Sequence, residues 1–185
     1  MMFALSERAQ DFITRTQAFI QQEIEPIEKA FWDEVHQLNV DGDWTKWQWP
    51  AQLEQLKTKA KAAGLWNMFL PDTELGAGLS VQEYAHIAEL TGRSLLAPTV
   101  FNCNAPDSGN MEVLWRYGKK KKKRQWLQPL LAGEIRSVFC MTEPAVASSD
   151  ATNMQATAVV DGDEIVLNGR KWWSSGLGDP NAKII

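Results

Sequence analysis

Residues 126–143 read WLQPLLAGEIRSVFCMTE, and the hydrophobic pattern of the chain changes within this stretch, near Glu134. Before Glu134, apolar residues recur every three or four positions, which is typical of helices that bury one face. After it, short apolar runs alternate with Asp-Gly and Asn-Gly pairs, which indicates strands joined by tight turns. The sequence therefore predicts an α+β protein. An N-terminal α-helical bundle over residues 1–134 precedes the start of an antiparallel β-barrel or β-sandwich domain over residues 135–185.

The helical part divides at prolines, glycines and capping residues. Pro26 is expected to interrupt the first helix, and the helical stretches are predicted at 5–24, 27–38, 50–64, 80–88, 110–117 and 120–131. Ser80 and Glu83 have the spacing of a capping box, which opens a helix carrying Val81, Tyr84, Ala85 and Ala88. The run Leu65–Leu70 is predicted to be buried, but periodicity leaves its type open.

The β part contains few strands. They are predicted at 137–141, 154–160, 164–167 and 171–173, with hairpin turns at Asp161-Gly162 and Asn168-Gly169. In the last of these strands, Trp172 and Trp173 would point to opposite faces, so that one packs and the other lines a cleft. Three or four strands make a thin sheet, and we expect one of its edges to be open.

Composition excludes several classes of protein. The 185 residues are 44% hydrophobic and 23% charged, as in ordinary globular proteins, and no apolar run approaches the length of a membrane span. The net charge of −4 gives no reason to expect nucleic acid as a partner. Cys103 and Cys140 make neither a disulfide framework nor a metal site. Residues 1–7 have no basic segment of a secretory signal, so we expect an intracellular protein, cytoplasmic if its source is bacterial.

Two segments of the β part carry candidate chemistry. Phe139–Asp150 ends a predicted strand with Thr-Glu-Pro and continues as a turn of small and hydroxyl residues, and Gly169–Gly176 follows about thirty residues later. Backbone N–H groups and hydroxyls at such a turn can bind the carbonyl edge of a heteroaromatic ring or a phosphate. Composition alone favours an ordinary polar turn. Likewise, Trp44, Trp47 and Trp49 form an aromatic loop that either packs on the domain or covers a groove.

Together these two segments resemble the acyl-CoA dehydrogenase family, flavoproteins that make α,β-unsaturated acyl-CoA. Within it, the chain is most similar to the branch of family members 10 and 11, which has a longer Thr-Glu-Pro loop. The similarity extends over the whole chain, in register with the change from helices to strands. It also includes the stretches Gly64–Pro71, Gly76–Ser80, Phe101–Asn110 and Trp126–Glu134.

The resemblance implies N-terminal helices, a middle β domain and a C-terminal four-helix domain, which we expect to be absent from this chain. It implies FAD as cofactor, bound between the β domain and the missing helices. Residue by residue, it implies Thr142 at the polar edge of the flavin, Ser149 touching both FAD and the CoA ester, and the Ser175 hydroxyl near flavin N5. The complete implied FAD set is Phe139, Met141, Thr142, Ser148, Ser149, Trp173, Ser174 and Ser175.

The implied reaction belongs to fatty acid metabolism: removal of the α-proton of acyl-CoA, hydride transfer from the β-carbon to FAD, and electron transfer to an acceptor flavoprotein. The base in this family is a carboxylate of the C-terminal domain, so no catalytic residue is assigned here and we expect an inactive fragment. The resemblance also implies a homo-oligomer for the full-length protein. Glu143 belongs to the motif, but we expect it to hold the loop rather than to react.

Three features depart from the family pattern. Ala145 stands where an acidic residue is usual, Phe139 replaces a tyrosine, and the run Lys119–Arg124 is unusually basic. Two alternatives therefore stay open beside the enzyme. The chain could be a non-catalytic truncated module that acts by association through its open β edge, or an anion-binding protein that uses the basic run.

Overall fold

The computed structural model describes residues 4–185, so what we inferred from Met1 to Phe3 lies outside the described residues. Its helices are α1 (Glu7–Phe19), α2 (Glu25–Leu38), α3 (Gln52–Ala62), α4 (Val81–Thr91), α5 (Ala97–Val100), α6 (Asp107–Tyr117), α7 (Lys120–Lys122) and α8 (Gln128–Ala132). Its strands are β1 (Arg136–Ser137), β2 (Thr157–Asp161), β3 (Glu164–Asn168) and β4 (Ala182–Ile184). The predicted fold class, helices followed by small sheets, is confirmed.

The predicted interruption at Pro26 is wrong, because the helix runs on through a π-helical turn. Residues Ile20–Ile24 form this turn, and the Glu25 N–H reaches the Ile20 carbonyl, five residues back. Pro26 then lies in the first turn of α2, where a missing N–H costs little. Pro129 is accommodated in the same way, since a π turn at Lys123–Leu127 precedes it.

The predicted helix signals around α3 and α4 are confirmed. Gly64 has a φ of +67°, and the Leu65 N–H returns to the Ala60 carbonyl over 2.9 Å, which ends α3. At α4, the Ser80 hydroxyl accepts from the Glu83 N–H, and the Glu83 carboxylate accepts from the Ser80 N–H. The run Leu65–Leu70 is irregular, with its buried side chains in two clusters of the core.

The buried face of α4 differs from the prediction. Val81, Ala85 and Ala88 are exposed, whereas Ile87 and Thr91 are buried and Tyr84 is half-buried. The helix packs against α1 and α5 through this second face, because it carries the larger side chains.

Two clusters of buried residues form the core. The first joins α1 to α5 and includes Ile24, Phe31, Leu65, Met68 and Phe101. The second joins α6, the π turn before α8, and α8; it consists of Leu70, Met111, Leu127, Leu130 and Leu131, with Ile184 of β4 packed against it. The second cluster is therefore where the helices meet the β part.

The β part consists of two separate two-stranded sheets. β2 pairs antiparallel with β3, as predicted, but β1 pairs in parallel with β4, so the prediction of antiparallel pairing is wrong for this pair. In the β2–β3 hairpin Asp161 faces Glu164, so the turn is Gly162-Asp163, one residue later than predicted. Gly162 has a φ of +59°, which glycine adopts without strain. The exposed apolar side chains of the hairpin are Val159, Val160, Ile165, Val166 and Leu167.

Two predicted strands are largely wrong. The strand expected at 137–141 ends at Ser137, and the one expected at 171–173 is irregular, with a φ of +54° at Trp173. The reason is a crossing of the two segments, in which the Trp172 N–H donates to the Thr142 carbonyl without forming a ladder. Trp172 and Trp173 consequently do not face opposite sides: both are exposed and their ring centroids are 5.6 Å apart.

No helix within residues 4–185 is both long enough and apolar enough to cross a membrane.

Candidate functional site

A buried carboxylate organises the turn that follows β1. Glu143 is only 4% exposed, and its Oε1 accepts from the Lys171 ammonium at 2.8 Å and from the Ala156 N–H at 3.0 Å. Its Oε2 accepts from the Gln155 N–H at 2.7 Å. The expected structural role of Glu143 is therefore confirmed, because it joins three segments that are distant in sequence.

Electrostatics keep this carboxylate ionised. The Lys171 ammonium, followed by the N–H groups of Gln155 and Ala156, lowers the pKa of Glu143 to about 2 from its ordinary value of 4.5. Lys171 also donates to the Met141 carbonyl over 2.9 Å. A side chain with this pKa and these partners is suited to holding the loop and poorly suited to accepting a proton near neutral pH.

The segment Trp172–Gly178, which follows the crossing near Thr142, lines three neighbouring cavities. A cavity of about 240 Å³ lies between Phe139 and the run Trp173–Gly176, with Ala105 and Pro106 on its helical side. A second, of about 550 Å³, reaches Trp44, Trp47 and Trp49, and a third, of about 600 Å³, lies between Trp44 and Trp172–Ser175. Ser175 lines all three and is therefore the centre of the candidate site.

The structure brings together four of the eight predicted FAD residues. Phe139, Trp173, Ser174 and Ser175 line the 240 Å³ cavity. The other four are Met141, Thr142, Ser148 and Ser149, and within the described part of the chain none of them lines the three cavities around Ser175.

These four residues differ in what occupies their polar groups. The carbonyls of Met141 and Thr142 are used by Lys171 and Trp172. Ser148 is buried, and its hydroxyl accepts from the Glu143 N–H at 2.8 Å, so it holds the turn from inside. Ser149 is exposed beside it. Their positions follow from the clamp around Glu143 rather than from the cavity.

The helical side of the site was missed by sequence reasoning. Ala105 and Pro106 line two of the cavities immediately before α6. The next residue, Asp107, is 1% exposed; it accepts from the Ser137 N–H at 2.7 Å and pairs with the Arg136 guanidinium. The only signal was that Phe101–Asn110 resembles the family, because no local pattern indicates a contact across thirty residues.

The other candidates from the sequence do not converge on this site. The side chains of Lys119–Lys122 are exposed, and none of them forms an ion pair within residues 4–185, while the Lys123 ammonium donates to the Trp115 carbonyl. Burial raises the pKa of the Cys103 thiol to about 11, so it is protonated at neutral pH.

Comparison with known proteins gives one consistent result. The family model described as acyl-CoA dehydrogenase, N-terminal domain, matches residues 6–134. The chain is 52% identical over 99% of its length to acyl-CoA dehydrogenase family member 11 of Mus musculus, and 48% identical over its full length to "Probable acyl-CoA dehydrogenase FadE2" of Mycobacterium tuberculosis. A solved structure from Mycobacterium abscessus, assigned as an acyl-CoA dehydrogenase, aligns with 98% of the chain at 60% identity and a TM-score of 0.90.

These relatives are longer than the chain. It covers 23% of the mouse protein, 44% of the M. tuberculosis protein and 46% of the M. abscessus chain. The predicted similarity to the branch of family members 10 and 11 is confirmed for the part of those proteins that the chain covers.

Proposed function

Because the chain belongs to the acyl-CoA dehydrogenase family, we propose that the protein oxidises acyl-CoA thioesters to 2-enoyl-CoA with FAD as its cofactor. One observation carries the proposal. Phe139 and the run Trp173–Ser175, which are more than thirty residues apart in sequence, line the same cavity of about 240 Å³. An aromatic wall with two hydroxyls suits a flat ring that has polar edges.

In this proposal, Phe139 and Trp173 hold the ring of FAD and the Ser174 and Ser175 hydroxyls bind its polar edge. Met141, Thr142 and Ser149 contact FAD or the CoA ester from the neighbouring turn. Ser148 acts indirectly, since its hydroxyl is used by the Glu143 N–H. FAD, when bound, supplies the acceptor for the hydride, and donors at its polar edge stabilise the charge that it gains.

The base and the partners are also part of the proposal. Within the described residues, no carboxylate lines the 240 Å³ cavity, and Glu143 is committed to Lys171 and two backbone N–H groups. By family membership, we place the carboxylate that removes the α-proton outside residues 4–185. An electron-accepting flavoprotein and a homo-oligomeric assembly complete the proposal, by family membership alone.

A second candidate function rests on the β2–β3 hairpin. Its apolar side chains are exposed on both faces, with Leu167 exposed to 74%. Exposed apolar strands are typical of a surface that associates with further polypeptide. A non-catalytic module that acts by association would need this surface and would not need the cavity at Ser175.

The test uses the full-length gene product. We expect it to purify with FAD and to reduce an artificial electron acceptor only when acyl-CoA is added.

Ser175→Ala should lower the rate of acceptor reduction roughly tenfold or more, because a hydrogen bond to a charged group is lost. Thr14→Ala, which removes an exposed hydroxyl on α1, is the control and should have no effect. If the product folds but neither retains FAD nor shows acyl-CoA-dependent turnover, the proposed enzymatic function is contradicted. That result would favour the associating module.

A further inference from the structure

Large apolar side chains surround the 600 Å³ cavity without covering it. Trp44 is 63% exposed, Trp173 80% and Leu177 44%, and all three line this one cavity together with Trp172. Single exposed apolar residues are common on protein surfaces, but a cluster around a concave site marks a binding surface. Trp44 comes from the helical part of the chain and the others come from the β part, so the cluster forms only in the folded molecule.

The position of Trp44 is fixed by hydrogen bonds on either side of it. The Asp43 Oδ1 accepts from the Thr45 N–H at 3.1 Å and from the Thr45 hydroxyl at 2.6 Å, and its Oδ2 pairs with Lys46 at 2.7 Å. These contacts form a short 3₁₀ turn at Trp44–Lys46. The indole is thus presented by an ordered turn, which reduces the entropy lost when a ligand stacks on it.

The end of the same loop is attached to the β part. The Trp49 indole N–H donates to the Asp179 carboxylate over 3.2 Å. The backbone of Gly178 passes close to Trp44: a Cβ added there would lie 3.5 Å from the Trp44 carbonyl oxygen and 3.8 Å from its Cβ. Trp44 is therefore held close to Gly178, and it lines two of the three cavities that Ser175 also lines.

The chemistry of the lining indicates a flat ring rather than an alkyl chain. Three indoles and the hydroxyls of Ser174 and Ser175 line the 600 Å³ cavity, and Leu177 is the one aliphatic side chain among its described lining residues. Indoles stack on conjugated rings, and hydroxyls bind the polar edge of such a ring. A cavity for an acyl chain would instead be lined mainly by aliphatic side chains.

We propose that Trp44 is a further cofactor-contacting residue. Its indole packs against the ring system of FAD where the ring extends from the 240 Å³ cavity into the 600 Å³ cavity, past Trp173, Ser174 and Ser175, which line both. This inference rests on the proposed function. The inference adds to the proposed function a residue from outside both predicted flavin segments. It means that the loop between α2 and α3 takes part in cofactor binding.

The test is a titration of the full-length apoprotein with FAD. Binding is measured by the quenching of flavin and tryptophan fluorescence. Trp44→Ala should raise the Kd for FAD roughly 3- to 10-fold, the range expected for one aromatic contact. Trp44→Phe should restore most of the affinity, whereas Trp44→Leu, which keeps apolar bulk without an aromatic face, should resemble the alanine variant. Tyr117→Ala, which removes an exposed aromatic ring from α6, away from the three cavities around Ser175, is the control and should leave the Kd unchanged.

The outcomes separate the two proposals. Wild-type-like FAD affinity and quenching in both Trp44→Ala and Trp44→Leu would overturn the role of Trp44 and leave the proposed function standing. Unchanged FAD affinity combined with a raised KM for acyl-CoA would also overturn it, because the indole would then contact the substrate. A wild-type protein that binds no FAD would overturn both proposals.

Discussion

At the scale of single residues, Glu143 controls the geometry of the candidate site. Its carboxylate receives hydrogen bonds from the ammonium of Lys171 and from two backbone N–H groups of the segment before β2. These bonds place the chain around residues 141–143 against the segment that continues to Ser174 and Ser175. A side chain committed to these hydrogen bonds thus helps to determine where the lining residues of the cavity lie.

We expect Glu143 to make stability depend on pH in the acid range. Because its pKa in the folded state, about 2, lies below its ordinary value of 4.5, its stabilising contribution is fully present above about pH 4.5 and is lost as the pH falls toward 2. Glu143→Gln should therefore lower the melting temperature at pH 7 by several degrees and flatten its dependence on pH in this range. Thermal unfolding followed by circular dichroism between pH 2 and 7 measures both effects.

The matched control for this change is Glu164→Gln, on an exposed strand position of the hairpin. It should alter neither the melting temperature nor the slope. Some acid dependence should persist in Glu143→Gln, because the hydroxyl of Ser6 and the N–H and hydroxyl of Ser80 lower the pKa of Glu83 to about 2 as well. An unchanged slope in Glu143→Gln would show that the carboxylate is not held in this way in solution.

At the scale of elements, a π-helical turn followed by a proline occurs twice in the helices. A π-helical turn precedes Pro26 and another precedes Pro129, and in both places the residue just before the proline donates to a carbonyl five residues back. The wider turn shifts the hydrogen-bonding register before the residue that has no N–H, so the helix continues with a local change instead of ending. Pro26 and Pro129 thus mark changes of helix geometry and do not break the helical path of the chain.

The capping box of α4 provides a prediction at this scale. Ser80→Ala should lower the free energy of unfolding by about 1 kcal/mol, because the N–H of Glu83 loses its acceptor. Ser80→Gly should cost only a few tenths of a kcal/mol, since glycine leaves the N-cap open to water. Urea unfolding of the two variants measures the difference, and equal losses would contradict capping as the cause.

At the scale of the whole molecule, Asp107 connects the helical part to the β part. It lies at the start of α6, accepts from both the N–H and the hydroxyl of Ser137, and pairs with Arg136. Asn110 of the same helix adds a bond to the Ser137 hydroxyl at 2.8 Å. These contacts fix β1 against α6, and with it the position of Ala105 and Pro106 at the cavity.

Asp107→Ala should lower the free energy of unfolding by about 3–5 kcal/mol, because it leaves the Arg136 charge without its buried partner. Glu112→Ala on the same helix is the control. It breaks the exposed pair with Arg116 and should cost less than about 1 kcal/mol. Urea unfolding compares the two, and losses of similar size would mean that Asp107 makes only a surface contact.

The accuracy of the sequence-based predictions depended on the range of the interaction involved. The capping box at Ser80, the end of α3 at Gly64 and the hairpin after Asp161 were predicted within a residue, because each depends on neighbours in sequence. The strands at 137–141 and 171–173 were wrong, because their apolar runs satisfy a strand pattern while their hydrogen bonds go to distant segments. The domain boundary at residue 134 stays a prediction.

The sequence by itself determined the change from helices to strands near Glu134 and the family, because periodicity, turn residues and motifs lie in local stretches of chain. Only the tertiary structure decided that Phe139 and Ser175 share a cavity, that Glu143 is paired with Lys171, and that Trp44 lines the same cavity as both tryptophans of the second segment. The physical reason is that these contacts join residues from about thirty to more than a hundred positions apart. Such contacts depend on how the elements pack, and no local pattern of residue types encodes that packing.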